Sequence, residues 1–462
     1  MSAIMDSLYL HSPIWFQQIM VAVYGAWWYQ RRFGKNFNRL VADFKSREHW
    51  SSAQFAHYQH EQLARLLEAA WHSPHYAQIF TAAGVTLSTD PWEALSRLPP
   101  LAKDTLRQRP KDLLTVRSLP RGTLIHKSSG TTGTPTDIYY SAEFHALELA
   151  VPEVRNLNWA GVSSRQRRVM FGVRKVCNYA QSVPPFWRYS PRENMAYASI
   201  YHLAPRLFPH YLKFLRQYKP AIIMGYPNAL NLIATYALEN SDYPAPAKAI
   251  FTTSETVTEN IRKNLETAWK CKIYDRYGAV ENCMFAAQCE YGSYHVSPDV
   301  GIIEIVDAHG QPCKPGVLGQ VWCTGLHNIL QPLIRYQIGD VARWSLQQNC
   351  PCGRDWPILE GIEGRYEDIC LTKDGRQVVR FDTVFKGVDS IKEAQVIQEA
   401  LERFVIRVVP TSSYTAADTD SLLHNMKKHV GAVDVEIQLV DAIPRTPSGK
   451  FKAVISKLHA ER

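Results

Sequence analysis

The chain has 462 residues, 46% of them apolar, enough for two or three domains with real cores. Its 52 Lys and Arg against 43 Asp and Glu leave a net charge of +9 without charged runs, which suits an anionic ligand and argues against nucleic acid as a partner. Nine cysteines without a regular framework point to reduced thiols in a cytoplasmic enzyme rather than a disulfide scaffold.

Residues 14–29 (IWFQQIMVAVYGAWWY), followed by Arg31 and Arg32, predict a helix packed on the body of the protein. Gln17, Gln18 and the short length count against a membrane span, and no small-residue cleavage site marks a leader. Tryptophan and tyrosine beside arginine also suit a helix lying on a membrane surface, so peripheral contact with the inner membrane is a second expectation.

Residues 126–141 read HKSSGTTGTPTDIYYS, too rich in glycine and hydroxyl groups for a helix or strand interior, and a loop is expected. Such a loop can offer backbone N–H groups and short side-chain donors to phosphate oxygens. Taken alone, it is as readily a plain surface loop. No Gly-Lys-Ser/Thr closes it, so it is not an ordinary P-loop.

From residue 221 onward, apolar runs alternate with helical patterns. AIIMG (221–225) leads to a helix near 228–239. KAIFTTSE (248–255) leads to another, with Ile261, Leu265 and Trp269 on one face, and KIYDRYGAVE (272–281) is a third strand. This is an α/β pattern, in which ligands collect where strands end. After GRYED (364–368) the chain reads as strand 393–409, helix 417–430, strand 433–440 and the turn-rich IPRTPSGK. The expectation is a large domain over 1–366 and a small, mobile α+β domain over 367–462, hinged between them.

SSGTTGTP, YGAVE (277–281), RYQIGD (335–340), GRYED and PRTPSGK (444–450) resemble, in order and at suitable distances, the motifs of the adenylate-forming acyl ligase superfamily. Within it the chain looks most like phenylacetate–CoA ligases and their relatives associated with capsular polysaccharide biosynthesis. The resemblance runs from about residue 101 to the C-terminus. It implies a large multi-sheet N-terminal domain, a small C-terminal domain that moves, and activation of a carboxylic acid by ATP and Mg²⁺.

By this resemblance, Ser128, Ser129, Gly130, Thr131, Thr132, Gly133 and Thr134 hold the β- and γ-phosphates, with Thr132 in a catalytic role and Lys127 at the loop edge. Glu281 would hold Mg²⁺, a hard cation suited to carboxylate oxygen. Tyr277 and Gly278 would flank the adenine, Ser254 and Glu255 of TTSE would face the nucleotide, and Asp340 and Arg365 would bind ribose or phosphate. Lys450, projected by the turn at Pro447 and Gly449, would reach the carboxylate and α-phosphate. Rotation at Glu367 or Asp368 would then withdraw it; the family usually has Asp where Glu367 stands.

Three thiols and one imidazole, Cys289, His295, Cys350 and Cys352, make a set that zinc accepts in tetrahedral geometry. Their C-x5-H and C-x-C spacings match no common finger, and on spacing alone they are equally four packed core residues. Relatives in the phenylacetate ligase-like branch with a structural zinc on similar residues favour Zn²⁺.

The acid is expected among residues 225–228, 252–256 and 186–202, whose aromatic and apolar side chains suit an aryl or acyl tail. Tyr201 and His202 are candidates to touch its carboxylate, with Tyr226 and Ala279 nearby. TTSE stands where the phenylacetate ligases usually have GAE. The functional expectation is an acid–CoA ligase. The alternatives are transfer to an amine, a sugar or a carrier-protein thiol, or a scaffold without turnover; retention of Glu281, Asp340, Arg365 and Lys450 speaks against the last. Monomer and homodimer both stay open.

Overall fold

The computed structural model describes residues 8–458, apart from 128–135, 173, 179, 366–369, 374–376, 379–380, 382–383, 386, 389 and 446–450. At its centre is a 12-stranded mixed sheet. One part runs parallel, in the spatial order Met195–Ser199, Arg168–Gly172, Ile222–Gly225, Ala249–Thr253 and Ile273–Gly278. The last three are the strands expected from the alternation after residue 221. They are joined by the helices Pro227–Glu239 and Glu259–Trp269. Ile261, Leu265 and Trp269 all turn inward as their spacing requires, each apolar side chain so buried contributing about 1.5–3 kcal/mol.

The remainder of this sheet is antiparallel, which the periodicity does not announce. Phe285–Gln288, Tyr294–Val296, Ile358–Arg365, Tyr336–Trp344, Gly319–Gly325 and Gly301–Val306 follow in that spatial order. A separate hairpin, Leu124–Lys127 with Asp137–Tyr140, brackets the glycine-rich segment.

The N-terminal helix, Ile14–Arg32, lies against the edge strand Trp187–Ser190. The two glutamines that argue against a membrane span make the docking contacts. Gln17 Oε1 accepts from Arg188 Nε at 3.0 Å, while Gln18 accepts from the Tyr189 N–H at 2.9 Å and donates to the Tyr189 carbonyl. Gly25 permits the close approach, because a Cβ there would fall 1.9 Å from Ser190 Oγ. The opposite face leaves Trp15, Ile19, Val23 and Trp27 more than half exposed. The packed-helix expectation therefore accounts for one face and not the other. Among the described residues, no helix is long and apolar enough to cross a membrane.

The C-terminal lobe holds a four-stranded sheet in the order Asp434–Leu439, Arg403–Pro410, Ile391–Ala400, Val454–Ser456. The helix Ala416–Val430 begins with a capping box between Thr415 and Asp418, and it buries Leu422, Met426 and Val430 in the cluster that holds Phe404, Ile406 and Val408. One expectation needs correcting. The single strand read over 393–409 is a hairpin, Ile391–Ala400 paired antiparallel with Arg403–Pro410. Leu401 and Glu402 make the turn without glycine, asparagine or proline, so no punctuation marks it in the sequence.

Candidate active site

A cavity of about 750 Å³ opens where the parallel strands end. Its walls include Met224 from one strand end, the turn Thr253 to Val257 after the next, and Tyr277 to Asn282 after the third. Ser254 adopts φ +70°, a left-handed conformation unusual for a residue with a Cβ, and it bends the chain sharply off the strand. Ile338, Asp340, Gly361, Ile362 and Gly364 close the cavity from the antiparallel side.

Of the residues expected to bind nucleotide, Ser254, Glu255, Tyr277, Gly278, Glu281 and Asp340 all line this cavity, and Ala279 joins them. Two buried carboxylates each accept from a tyrosine. Tyr336 Oη donates to Glu281 Oε1 at 3.0 Å, and Tyr277 Oη donates to Asp340 Oδ2 at 2.7 Å. Burial first, then the Glu281 charge, hold the Tyr336 hydroxyl well above its ordinary range, so it stays a donor. A carboxylate has acceptor capacity for more than one partner, and the residue types suit a hard cation at Glu281 and a hydroxyl donor at Asp340. Arg365 pairs in register with Asp340 across neighbouring strands.

Glu255 accepts from the Asn228 backbone N–H at 3.2 Å, from Asn228 Nδ2 at 3.1 Å and from the Phe451 N–H at 2.7 Å. Burial pushes its carboxyl up, opposed by these hydrogen bonds. Phe451 follows Lys450 in the chain, so a large-domain carboxylate grips the C-terminal lobe beside the expected catalytic lysine. Lys450 itself, the loop Ser128 to Thr134, and the hinge Glu367 and Asp368 lie outside the described residues. Lys127 is exposed and stands 3.7 Å from Asp137 Oδ1.

The residues expected around the acid reach this cavity only in part. Residues 186–202 reach the cavity through Glu193, Met195 and Tyr197, and Tyr201, His202 and Tyr226 are not among its lining residues. His202 is buried, with Nδ1 2.8 Å from Ser199 Oγ and its ring stacked on Phe186. Tyr226 precedes the helix Pro227–Glu239, its hydroxyl pushed up to about 12 by burial and the Glu255 charge.

Charged side chains, Arg32, Glu148, Arg168, Arg174, Glu193 and Arg276, line the walls alongside the rings of Phe33, Tyr197, Tyr277, Phe285 and Tyr294. Arg32 stands 3.8 Å from Glu193, and Arg168 donates to the Glu193 carbonyl at 2.9 Å. Arg276 is pulled down by burial, with Glu148 and Asp275 opposing, and among the described residues no hydrogen bond holds its guanidinium. The one sequence signal for this wall is Arg276 itself, a cation inside a strand otherwise rich in apolar and aromatic residues. Arg32 and Glu148 arrive on remote helices and leave none.

Away from the cavity, Cys289, His295, Cys350 and Cys352 converge, with one ligating atom of each within 4.8 Å of the others. Cys289 Sγ is 3.6 Å from Cys350 Sγ, and Cys352 Sγ is 3.2 Å from His295 Nε2. These separations fit donors around one tetrahedral centre. Burial pushes the Cys289 thiol up to about 12, a penalty on the thiolate that a bound cation would offset. Arg354, two residues past Cys352, ties this loop to Glu48 at 2.8 Å and Glu290 at 3.0 Å. Cys283 and Cys323 are in contact with each other in the core.

A cavity at the ends of parallel strands, lined by buried carboxylates, stands where open α/β sheets place their ligands. Residues 123–330 match the family model of the AMP-binding enzyme, and residues 370–457 match that of the CapK C-terminal domain. The chain belongs to the adenylate-forming ligase superfamily and is a ligase. It is 24% identical over 467 residues to Protein CapK of Staphylococcus aureus, covering 98% of this chain and 100% of the relative. It is 23% identical over 438 residues to the phenylacetate-coenzyme A ligase of Thermus thermophilus, covering 86% and 95%. A crystal structure of 2-hydroxyisobutyryl-CoA ligase, in the postadenylation state in complex with 2-HIB-AMP, shares the fold. Its TM-score is 0.69 at 22% identity, over 90% of this chain and 92% of that one.

Proposed function

We propose that the chain joins a small, polar carboxylic acid to AMP and then passes the acyl group to the thiol of CoA. In the first step a carboxylate oxygen attacks the α-phosphorus of ATP, and the bond to the departing pyrophosphate breaks. In the second the thiol attacks the acyl carbon and AMP leaves. The observation that carries this reading is the placement of Glu281 and Asp340 in one cavity whose rim is gripped by Phe451, the neighbour of Lys450.

Each residue has a task in the reaction. Asp340, oriented by Tyr277, accepts from ribose hydroxyls. Tyr336 orients the Glu281 carboxylate, which would hold the metal that accompanies the triphosphate. Mg²⁺, when bound there, supplies charge neutralisation for the leaving pyrophosphate. Lys450 and the hydroxyl loop Ser128 to Thr134 supply the remaining positive and donor groups to the phosphates.

A polar acid is favoured over an aryl one because a wall holding Arg168, Arg174, Glu193 and Arg276 would strand polar groups against a hydrocarbon tail. Amines, sugars and carrier-protein thiols remain the competing acceptors. The Cys289, His295, Cys350 and Cys352 cluster is assigned a structural Zn²⁺ that pins the loop before strand Ile358–Arg365. Peripheral membrane contact through the exposed face of the N-terminal helix is compatible with this function.

The test is a pyrophosphate-exchange screen over hydroxylated, dicarboxylic, aryl and fatty acids, followed by product analysis with CoA and with amines. The expected result is exchange with a hydroxylated or dicarboxylic acid and none with fatty acids. Exchange with aryl acids alone would refute the polar-acid reading, and amide product without thioester would move the acceptor to an amine.

A further inference from the structure

Two imidazoles and a carboxylate converge at the edge of the cavity. His126 stands on the strand Leu124–Lys127, and His145 and Glu148 lie three residues apart on the helix Ala142–Pro152, a spacing that puts them on one face. One ligating atom from each lies within 4.8 Å of the other two. His145 Nε2 is 3.8 Å from Glu148 Oε2.

All three atoms, His126 Nε2, His145 Nε2 and Glu148 Oε2, are buried without a hydrogen-bond partner. His145 is only 1% exposed. An unsatisfied buried polar atom costs about 1–3 kcal/mol, so three that converge on one point call for an occupant there. With both Nε2 atoms unprotonated they are three acceptors, and one water has two hydrogens to give. A cation satisfies all three.

The surroundings narrow which cation. Arg31 donates to the Gly122 carbonyl, and Arg32 stands 3.8 Å from Glu193 with its guanidinium over the Trp28 ring. Their positive charge weakens a purely electrostatic Mg²⁺ or Ca²⁺ contact. Imidazole donors select instead for transition metals.

We propose that His126, His145 and Glu148 form an open three-ligand site for a divalent first-row transition metal at the edge of the adenylation cavity. Glu148 also lines that cavity. It is 37% exposed and is the member free to swing inward and shorten the separations to those of a bound metal. Three protein ligands leave a position for water or for a group entering from the cavity, which distinguishes this site from the four-ligand cysteine cluster.

The experiment uses the full chain, stripped with chelator and titrated with Co²⁺, with bound metal counted by equilibrium dialysis. Cobalt in the cysteine cluster gives an intense thiolate charge-transfer band. Cobalt on two imidazoles and a carboxylate gives only weak visible absorption. The parent should bind one equivalent beyond the thiolate-bound one, and His145→Ala and Glu148→Gln should each weaken that equivalent at least about tenfold while leaving the charge-transfer band unchanged. Glu148→Gln keeps shape and exposure, so it decides the matter if His145→Ala fails to fold. A parent that binds no second equivalent, or a second equivalent held equally well by Glu148→Gln, would overturn the proposal.

Discussion

The cavity has two walls of different origin. The nucleotide wall comes from short contiguous motifs at strand ends, and its carboxylates, Glu281 and Asp340, are each oriented by one tyrosine hydroxyl. The acid wall is gathered from distant parts of the chain: Arg32 from the N-terminal helix, Glu148 from the helix after the hairpin, Arg174 and Glu193 from loops, Arg276 from a strand. A reaction common to many acids needs the first wall fixed, while the choice of acid is left to a wall that can change one element at a time.

The largest effect expected on this comparison comes from neither wall. Lys450→Ala should lower pyrophosphate exchange by about 10²–10³-fold, as loss of a transition-state cation generally does, with the melting temperature unchanged. A parallel fall in stability would contradict its placement on a delivering turn. Next in size, Arg276→Met should raise KM for the acid by about ten- to a hundredfold, the worth of a hydrogen bond to a charged group. KM for ATP should stay as it is; equal shifts in both would show that the two walls are not separate. Tyr277→Phe should raise KM for ATP only several-fold, about 1 kcal/mol for the bond to Asp340, without changing KM for the acid.

The smallest effect is on stability at the seam between the walls. Burial lifts the Glu255 carboxyl above its ordinary 4.5. The folded chain therefore takes up this proton more readily than the unfolded one, and the resulting stabilisation is present below the unfolded pKa and lost as pH rises through the folded one. Glutamine does not titrate. Chemical denaturation of Glu255→Gln and parent between about pH 4 and pH 7 should show the variant gaining relative stability as pH rises. A difference constant across that range would mean that Glu255 does not titrate as its burial dictates.

That the residues proposed for the nucleotide share one cavity was legible in the sequence because they are neighbours in the chain. YGAVE and TTSE carry Tyr277, Gly278, Ala279, Glu281, Ser254 and Glu255, and all six line the cavity. The four members of the cysteine cluster, up to 63 positions apart from Cys289 to Cys352, were brought together by the family resemblance, since their spacing alone suits packed core residues equally well. The acid wall was not legible. Nothing local distinguishes Arg32, which ends an aromatic helix, from a solvated cation, and His202, singled out for its chemistry, stacks on Phe186 away from the cavity lining. The hairpin at Leu401 and Glu402 escaped for a different reason, since the turn between its strands has none of the residues that usually signal one.

The contact between Gln18 and Tyr189 has a consequence for handling the protein. Trp187–Ser190 is the terminal strand of a 12-stranded sheet, and such an edge offers its unpaired amides as a template for strands of other molecules. The glutamine side chain fills both the N–H and the carbonyl of Tyr189, doing from a helix what a further strand would do. Shortened forms that begin after residue 32 would expose that border, and their loss into aggregates by intermolecular strand addition would come from an unguarded seam rather than from a weakened interior.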